Sequence, residues 1–304
     1  MPFYLIQATL VSVWWVLMTV NRDMVAAFSY DGQVQDTLVL FVVPDLVLIV
    51  GLSFVAWRRP LREIQLLLVG AIAYAALWCM AASWMTHSGF LGTTLMVFAL
   101  LANGFAVWGS TLFARRAASR LGSFGLETVL QSALIWMLFL VLVPWLMLIE
   151  FGRWPVRLEP WSLAAGSLLL LASSVVGVQS ARVLVRVGQG TPLPLAAPNR
   201  LVVSGPYRFV RNPMAMAGLG QGFGVAVITR SLEIAVYVGL GMIVWNYLVR
   251  PVEEAELRRT FGSGYDHYTR RVRCWIPSFS MTAVSSSPPR NGRVVNNAKG
   301  RDPD

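Results

Sequence analysis

Charge, cysteine and histidine are all scarce in this chain, and each scarcity removes a class of function. Charged residues make up 13% of its 304 residues, with two cysteines and two histidines. Cys79 lies in an apolar run and Cys274 far away in a polar region, so no structural disulfide is expected. His87 and His267 stand alone, without zinc-site spacing, and are read as ordinary surface or interfacial residues; no metal is expected. The net charge of +10 is scattered over loops and the C-terminal region rather than gathered on one aromatic-interleaved face, which argues against nucleic acid. Anionic headgroups are the better partner, at about 1 kcal/mol per juxtamembrane arginine.

What is abundant is apolar. With 56% hydrophobic residues and a mean hydropathy of +0.60, the chain is far more apolar than a water-soluble domain. Crossing the bilayer takes roughly 20 apolar residues. Such segments run Phe3 to Val20, Thr37 to Trp57, Leu66 to Thr86, Phe90 to Phe113, Thr128 to Ile149 and Trp161 to Ser180, followed by the shorter Met214 to Thr229 and Leu232 to Val249. The expected fold class is therefore an all-α polytopic integral membrane protein of about eight transmembrane segments, ending in a short helical hairpin. The first segment lacks a basic region ahead of it and reads as a retained span rather than a cleaved signal.

Arginine supplies the orientation. Arg58, Arg59 and Arg62 follow the second segment, Arg115, Arg116 and Arg120 the fourth, and Arg182 and Arg186 the sixth. The alternate loops carry only scattered Arg22, Arg153, Arg157 and Arg230. Basic residues favour the cytoplasmic side, so both termini and the regions near Arg211 and Glu253 are expected there, in a bacterial cytoplasmic membrane.

Other stretches are less regular. Gly188 to Asn199 is rich in proline and glycine and reads as a non-helical connector; the tail from Ser285 is too polar to build a core. Gly218, Gly220, Gly222 and Gly224 do not form a dinucleotide loop, because Phe223 occupies the third glycine position and the run lies inside an apolar segment. Their four-residue spacings fit close approach of a neighbouring helix. Asp45 is the acidic residue deep in a span, and its position after Pro44 suits a protein-lined break.

The chemistry gathers between Gly205 and Pro277: Gly205-Pro206-Tyr207, Arg211-Asn212-Pro213, then Arg250-Pro251-Val252-Glu253-Glu254, Phe261-Gly262, Tyr265, Tyr268 and Cys274-Trp275-Ile276-Pro277. This order resembles the C-terminal half of the isoprenylcysteine carboxyl methyltransferase family and its phospholipid-methylating relatives. The resemblance implies an S-adenosylmethionine-dependent methyltransferase acting on a lipophilic or membrane-embedded acceptor, a carboxylate, amine or thiol, with no obligate protein partner. It divides the chain into an N-terminal transmembrane bundle (1–187), a cofactor-binding region with the hairpin (188–279) and a disordered tail (280–304). Asn212 stands where family members often carry His, and Ala215 where they often carry an aromatic.

A cofactor with a carboxylate, an ammonium, a sulfonium and an adenine needs a cation, an anion and flat faces. Arg211 offers a fork for the carboxylate. Glu253 and Glu254 suit the ammonium or ribose hydroxyls, and Tyr207 or Trp245 the adenine or sulfonium. The resemblance gives cofactor duties to Arg211, Asn212, Pro213, Glu253 and Glu254; Arg211 and Glu254 are the candidate catalytic residues. Plainer readings stay open. Arg211 would also serve as a membrane-exit arginine. Pro251 suits the first turn of a helix whose dipole Glu253 and Glu254 would complement, with Glu254 paired to Arg258. Tyr265 and Tyr268 read as interfacial anchors. The alternatives are an NADPH-dependent sterol-type reductase and a non-catalytic transporter or lipid-binding protein.

Overall fold

A computed structural model describes residues 2–30, 41–117, 136–188 and 200–278, together with 130, 133 and 134. The connector from 189 to 199 and the tail from 279 lie outside the described residues. Every described regular element is a helix, as a backbone that must satisfy its own hydrogen bonds in hydrocarbon requires. In chain order they are α1 Pro2–Val20, α2 Arg22–Phe28, α3 Phe41–Arg58, α4 Arg62–Thr86, α5 Phe90–Ala117, α6 Met137–Glu150, α7 Pro160–Gly188, α8 Pro213–Thr229, α9 Leu232–Phe261 and α10 Ser263–Arg271. Helices α1, α3, α4, α5, α7 and α9 are long and apolar enough to cross a membrane, and α6 and α8 are shorter apolar helices. The architecture is all-α and polytopic, as expected.

Two core layers sit at opposite ends of the bundle. One joins Phe3 and Tyr4 of α1, Ala56 of α3, Leu68 and Ile72 of α4, Ala106 of α5 and Leu248 of α9. The other joins Leu91 at the start of α5, Val143 and Met147 of α6, Ala226 at the end of α8, and Ile234 and Val238 of α9. The start of α1 and the latter part of α9 thus share one end, as the alternation of spans demands.

Buried polar pairs tie the helices together. Gln7 Nε2 donates to Ser53 Oγ at 2.9 Å and Asn103 Nδ2 to Gln7 Oε1 at 2.7 Å, joining α1, α3 and α5. Gln221 Nε2 of α8 donates to Ser174 Oγ of α7 at 3.0 Å. Asp45, in a π-helical stretch of α3, accepts from Trp15 Nε1 of α1 at 3.1 Å, so it is partnered within the bundle. Inside membranes such contacts average about 0.6 kcal/mol, and they fix register more than they add stability.

The hairpin forms as its sequence suggests, with one change. Arg230 takes a left-handed conformation (φ 51°) and Ser231 Oγ accepts from Ile234 N–H at 3.2 Å, turning α8 into α9 at once. A Cβ at Gly224 would lie 2.9 Å from Gly166 O of α7, and one at Gly222 would lie 2.6 Å from Val238 Cγ2 of α9. Gly218 meets nothing within 4 Å; it faces outward and does not share in the packing.

The helix α9 does not end before Pro251. Its 30 residues extend about 45 Å at ~1.5 Å each, well beyond a ~30 Å hydrocarbon core, so the charged stretch from Arg250 projects past the apolar part. Trp245–Val249 is π-helical, and Arg250 N–H donates to Trp245 C=O. That wider turn admits the Pro251 ring, which lacks an N–H and would otherwise crowd the preceding turn.

Candidate active site

Local sequence shapes the first wall. Gly205 opens a single 3₁₀ turn, Gly205–Arg208, with φ +58°, and a Cβ there would lie 2.9 Å from Val183 Cγ2 of α7. Only glycine suits a left-handed residue pressed on a helix in this way. The turn delivers Tyr207 to the interior. Asn212 then caps α8, its Oδ1 accepting from Ala215 N–H at 3.2 Å, while Pro213 fills the first turn, where its missing N–H is harmless. The cap places Asn212 Oδ1 on its own helix.

Arg211 lies between turn and cap. Its N–H donates to Arg273 C=O at 3.0 Å, and Ser278 N–H donates to Phe209 C=O at 2.8 Å, so the chain beyond α10 returns and pins the motif. Arg211 Nη1 lies 3.1 Å from Glu254 Oε1, with side chains 12% and 16% exposed. The same oxygen accepts from Arg250 Nε at 2.9 Å. Arg250 Nη1 donates to Asn246 Oδ1 at 2.8 Å, which also accepts from Trp275 Nε1 at 2.9 Å. The two distant motif halves meet in one network. Arg211 Nε remains buried with no hydrogen-bond partner.

Two plainer readings do not hold. Glu254 pairs with Arg211 and Arg250 rather than Arg258, which is turned to the exposed side and reaches Asp266 Oδ1 of α10 at 3.1 Å. Pro251 sits within a continuous helix, so Glu253 and Glu254 do not flank a free helix start.

Tyr265 and Tyr268 are 2% and 3% exposed and are not interfacial anchors. They form a small core with Val272, against Leu201, Val203, Leu257 and Phe261. Tyr268 Oη donates to Tyr207 C=O at 2.6 Å. Burial, before any charge, pushes the hydroxyls of Tyr207, Tyr265 and Tyr268 above their ordinary range; Glu253 adds to this at Tyr207 and Glu254 at Tyr265. Burial also raises the Cys274 thiol, against the pull of Arg250 and Arg211. All four groups therefore stay protonated near neutrality, as donors rather than bases or nucleophiles.

Trp245 stands eight residues before Glu253 on α9, about 12 Å along the axis, in the π-helical stretch. Its buried Nε1 has no partner. The geometry thus joins Arg211 to Glu254, sets Glu253 beside Tyr207, uses Asn212 and Pro213 to start α8, and leaves Trp245 deeper along the helix. Asn246 was not singled out from sequence, although an amide inside an apolar run is a signal of buried polar work. Among the described residues no cluster of His, Cys, Asp and Glu suits a metal ion.

No curated protein and no solved structure matches the chain. Residues 161–264 match the model of a family described as phospholipid methyltransferase, a stretch that takes in nearly all of α7, α8 and α9 with both Arg211 and Glu254. Within an all-α protein with several helices able to cross a membrane, residues 161–264 are thus similar to a phospholipid methyltransferase domain, and the match supports a membrane methyltransferase acting on lipid-type substrates.

Proposed function

We propose that the protein transfers a methyl group from S-adenosylmethionine to a lipophilic acceptor at the cytoplasmic face of the membrane, with Arg211 and Glu254 at the centre of the cofactor site. What supports this reading is the largely buried Arg211–Glu254 pair inside the family-matched region. The donor set fits the cofactor. Arg211 Nε is buried and lacks an acceptor, which a ligand carboxylate would supply, while Glu254, paired with two guanidinium groups, provides a carboxylate for an ammonium and Glu253 an oxygen for ribose hydroxyls. When bound, S-adenosylmethionine supplies an activated methyl carbon for in-line displacement, so the protein's part is alignment and exclusion of water. Arg250 and Asn246 hold Glu254 in place, and the buried tyrosines wall off solvent. A carboxylate acceptor would need no base.

Calorimetric titration of the purified protein in detergent tests this. A charge-assisted contact contributes about 1.5–3 kcal/mol, so Arg211→Ala and Glu254→Gln should each weaken S-adenosylmethionine binding roughly tenfold or more. Because two guanidinium groups share Glu254 as their carboxylate, Glu254→Gln should also lower Tm without ligand. The deciding reading is the ligand-induced rise in Tm, present in the parent and lost in the variants. A parent stabilised by NADPH and not by S-adenosylmethionine would replace methyl transfer with hydride transfer.

A further inference from the structure

Among the described residues, the buried side-chain polar atoms without a hydrogen-bond partner are Tyr4 Oη, Arg211 Nε and Trp245 Nε1. The Arg211 atom belongs to the cofactor site. The other two lie on elements packed against each other, since α1 contacts the π-helical stretch Trp245–Val249. Tyr4 is fully buried in the core layer that also holds Leu248, with Val244 packed on it. A buried hydroxyl or indole N–H ordinarily has a partner, because leaving one unmet in an apolar setting is costly. Two such groups on touching helices, one turn of which is widened, mark a place where a missing acceptor belongs. Indole N–H only donates and a phenol donates readily.

We infer that the seam between the start of α1 and the latter part of α9 is a binding site for the oxygen-bearing polar group of a lipid, a phosphate or an ester carbonyl, held by Tyr4 Oη and Trp245 Nε1. This rests on the methyl-transfer reading for its purpose: the site would hold the acceptor lipid below the cofactor, on the axis that leads from Trp245 to Glu253. It also gives the N-terminal bundle, which lies outside the family-matched residues, a part in choosing the substrate. Both groups are donors, so the site selects lipids by their acceptor oxygens rather than by an amine.

Tyr4→Phe and Trp245→Phe keep a ring in place and remove one donor each. Detergent-purified parent and variants are melted with increasing ether-linked phosphatidylethanolamine, which has phosphate and no ester carbonyl, and with diacylglycerol, which has the reverse. The parent should be stabilised by at least one of them, which identifies the oxygen recognised. Each variant should need at least fivefold more of that lipid for the same rise in Tm, and in Tyr4→Phe, which lies outside the cofactor site, S-adenosylmethionine affinity should stay within twofold. An unchanged lipid response in Tyr4→Phe, or a parent that responds to neither lipid, overturns the site. Loss of S-adenosylmethionine binding by the parent, with the lipid difference between parent and Tyr4→Phe intact, overturns the methyl-transfer reading and leaves the lipid site standing.

Discussion

Replacing Asn212 by Ala removes the acceptor of the Ala215 N–H and should cost about 1 kcal/mol of stability, as N-cap losses do. S-adenosylmethionine affinity should stay within about twofold, whereas a tenfold loss by calorimetry would give Asn212 a ligand role beyond its cap. The tyrosines carry a pH signature. Their hydroxyls are raised by burial, so the folded state holds protons that the unfolded chain releases near pH ~10. Their stabilising contribution is thus complete below that pH and is lost as pH rises above it. Thermal melts should show a falling Tm in that alkaline range, and Tyr268→Phe should lessen the fall. At this scale Arg211 and Glu254 stood out because they fall in the Arg211-Asn212-Pro213 and Glu253-Glu254 segments whose order carries the family resemblance. The direction of each side chain was not. Glu254 had a sequence-local partner in Arg258, and only the folded chain shows that Arg211 and Arg250 compete for it. Tyr268 read as an anchor because its chemistry suits an interface equally well as a core.

Helices were legible from apolar length alone, since lipid leaves the backbone few other choices. The end of α9 was not, because proline signals a break and nothing in composition announces the π-helical turn that accommodates Pro251. Similarly, glycine spacing pointed to a close helix contact but could not assign the faces. Gly222 lies against Val238 and Gly224 against α7, while Gly218 is open. A branched side chain at position 222 would push α8 from α9, so Gly222→Leu should abolish expression of folded protein. Gly218→Leu should be tolerated, with Tm within a few degrees of the parent. Equal damage from both, judged by monodisperse yield after detergent extraction, would mean that the hairpin packs through a different face.

At the scale of the molecule, sidedness is where sequence and structure constrain each other without either being sufficient. Packing places Tyr4, Ala56, Leu68 and Leu248 in one layer, and so puts the start of α1, the α3–α4 loop and the candidate site at one end of the bundle. It says nothing of which compartment that end faces. The arginines Arg58, Arg59 and Arg62 lie at that same end, and from the bias of such residues toward the cytoplasm we propose that this end faces it. Because Cys79 and Cys274 are both buried, labelling of introduced cysteines has a low background. A membrane-impermeant maleimide added to intact cells should leave Ser204→Cys and Ser263→Cys unmodified until the membrane is opened, since both positions are solvent-exposed at the site end. Leu158→Cys, exposed in the loop between α6 and α7, should react from outside at once. The reverse pattern would invert the protein, and would leave the cofactor site facing away from the compartment in which S-adenosylmethionine is expected.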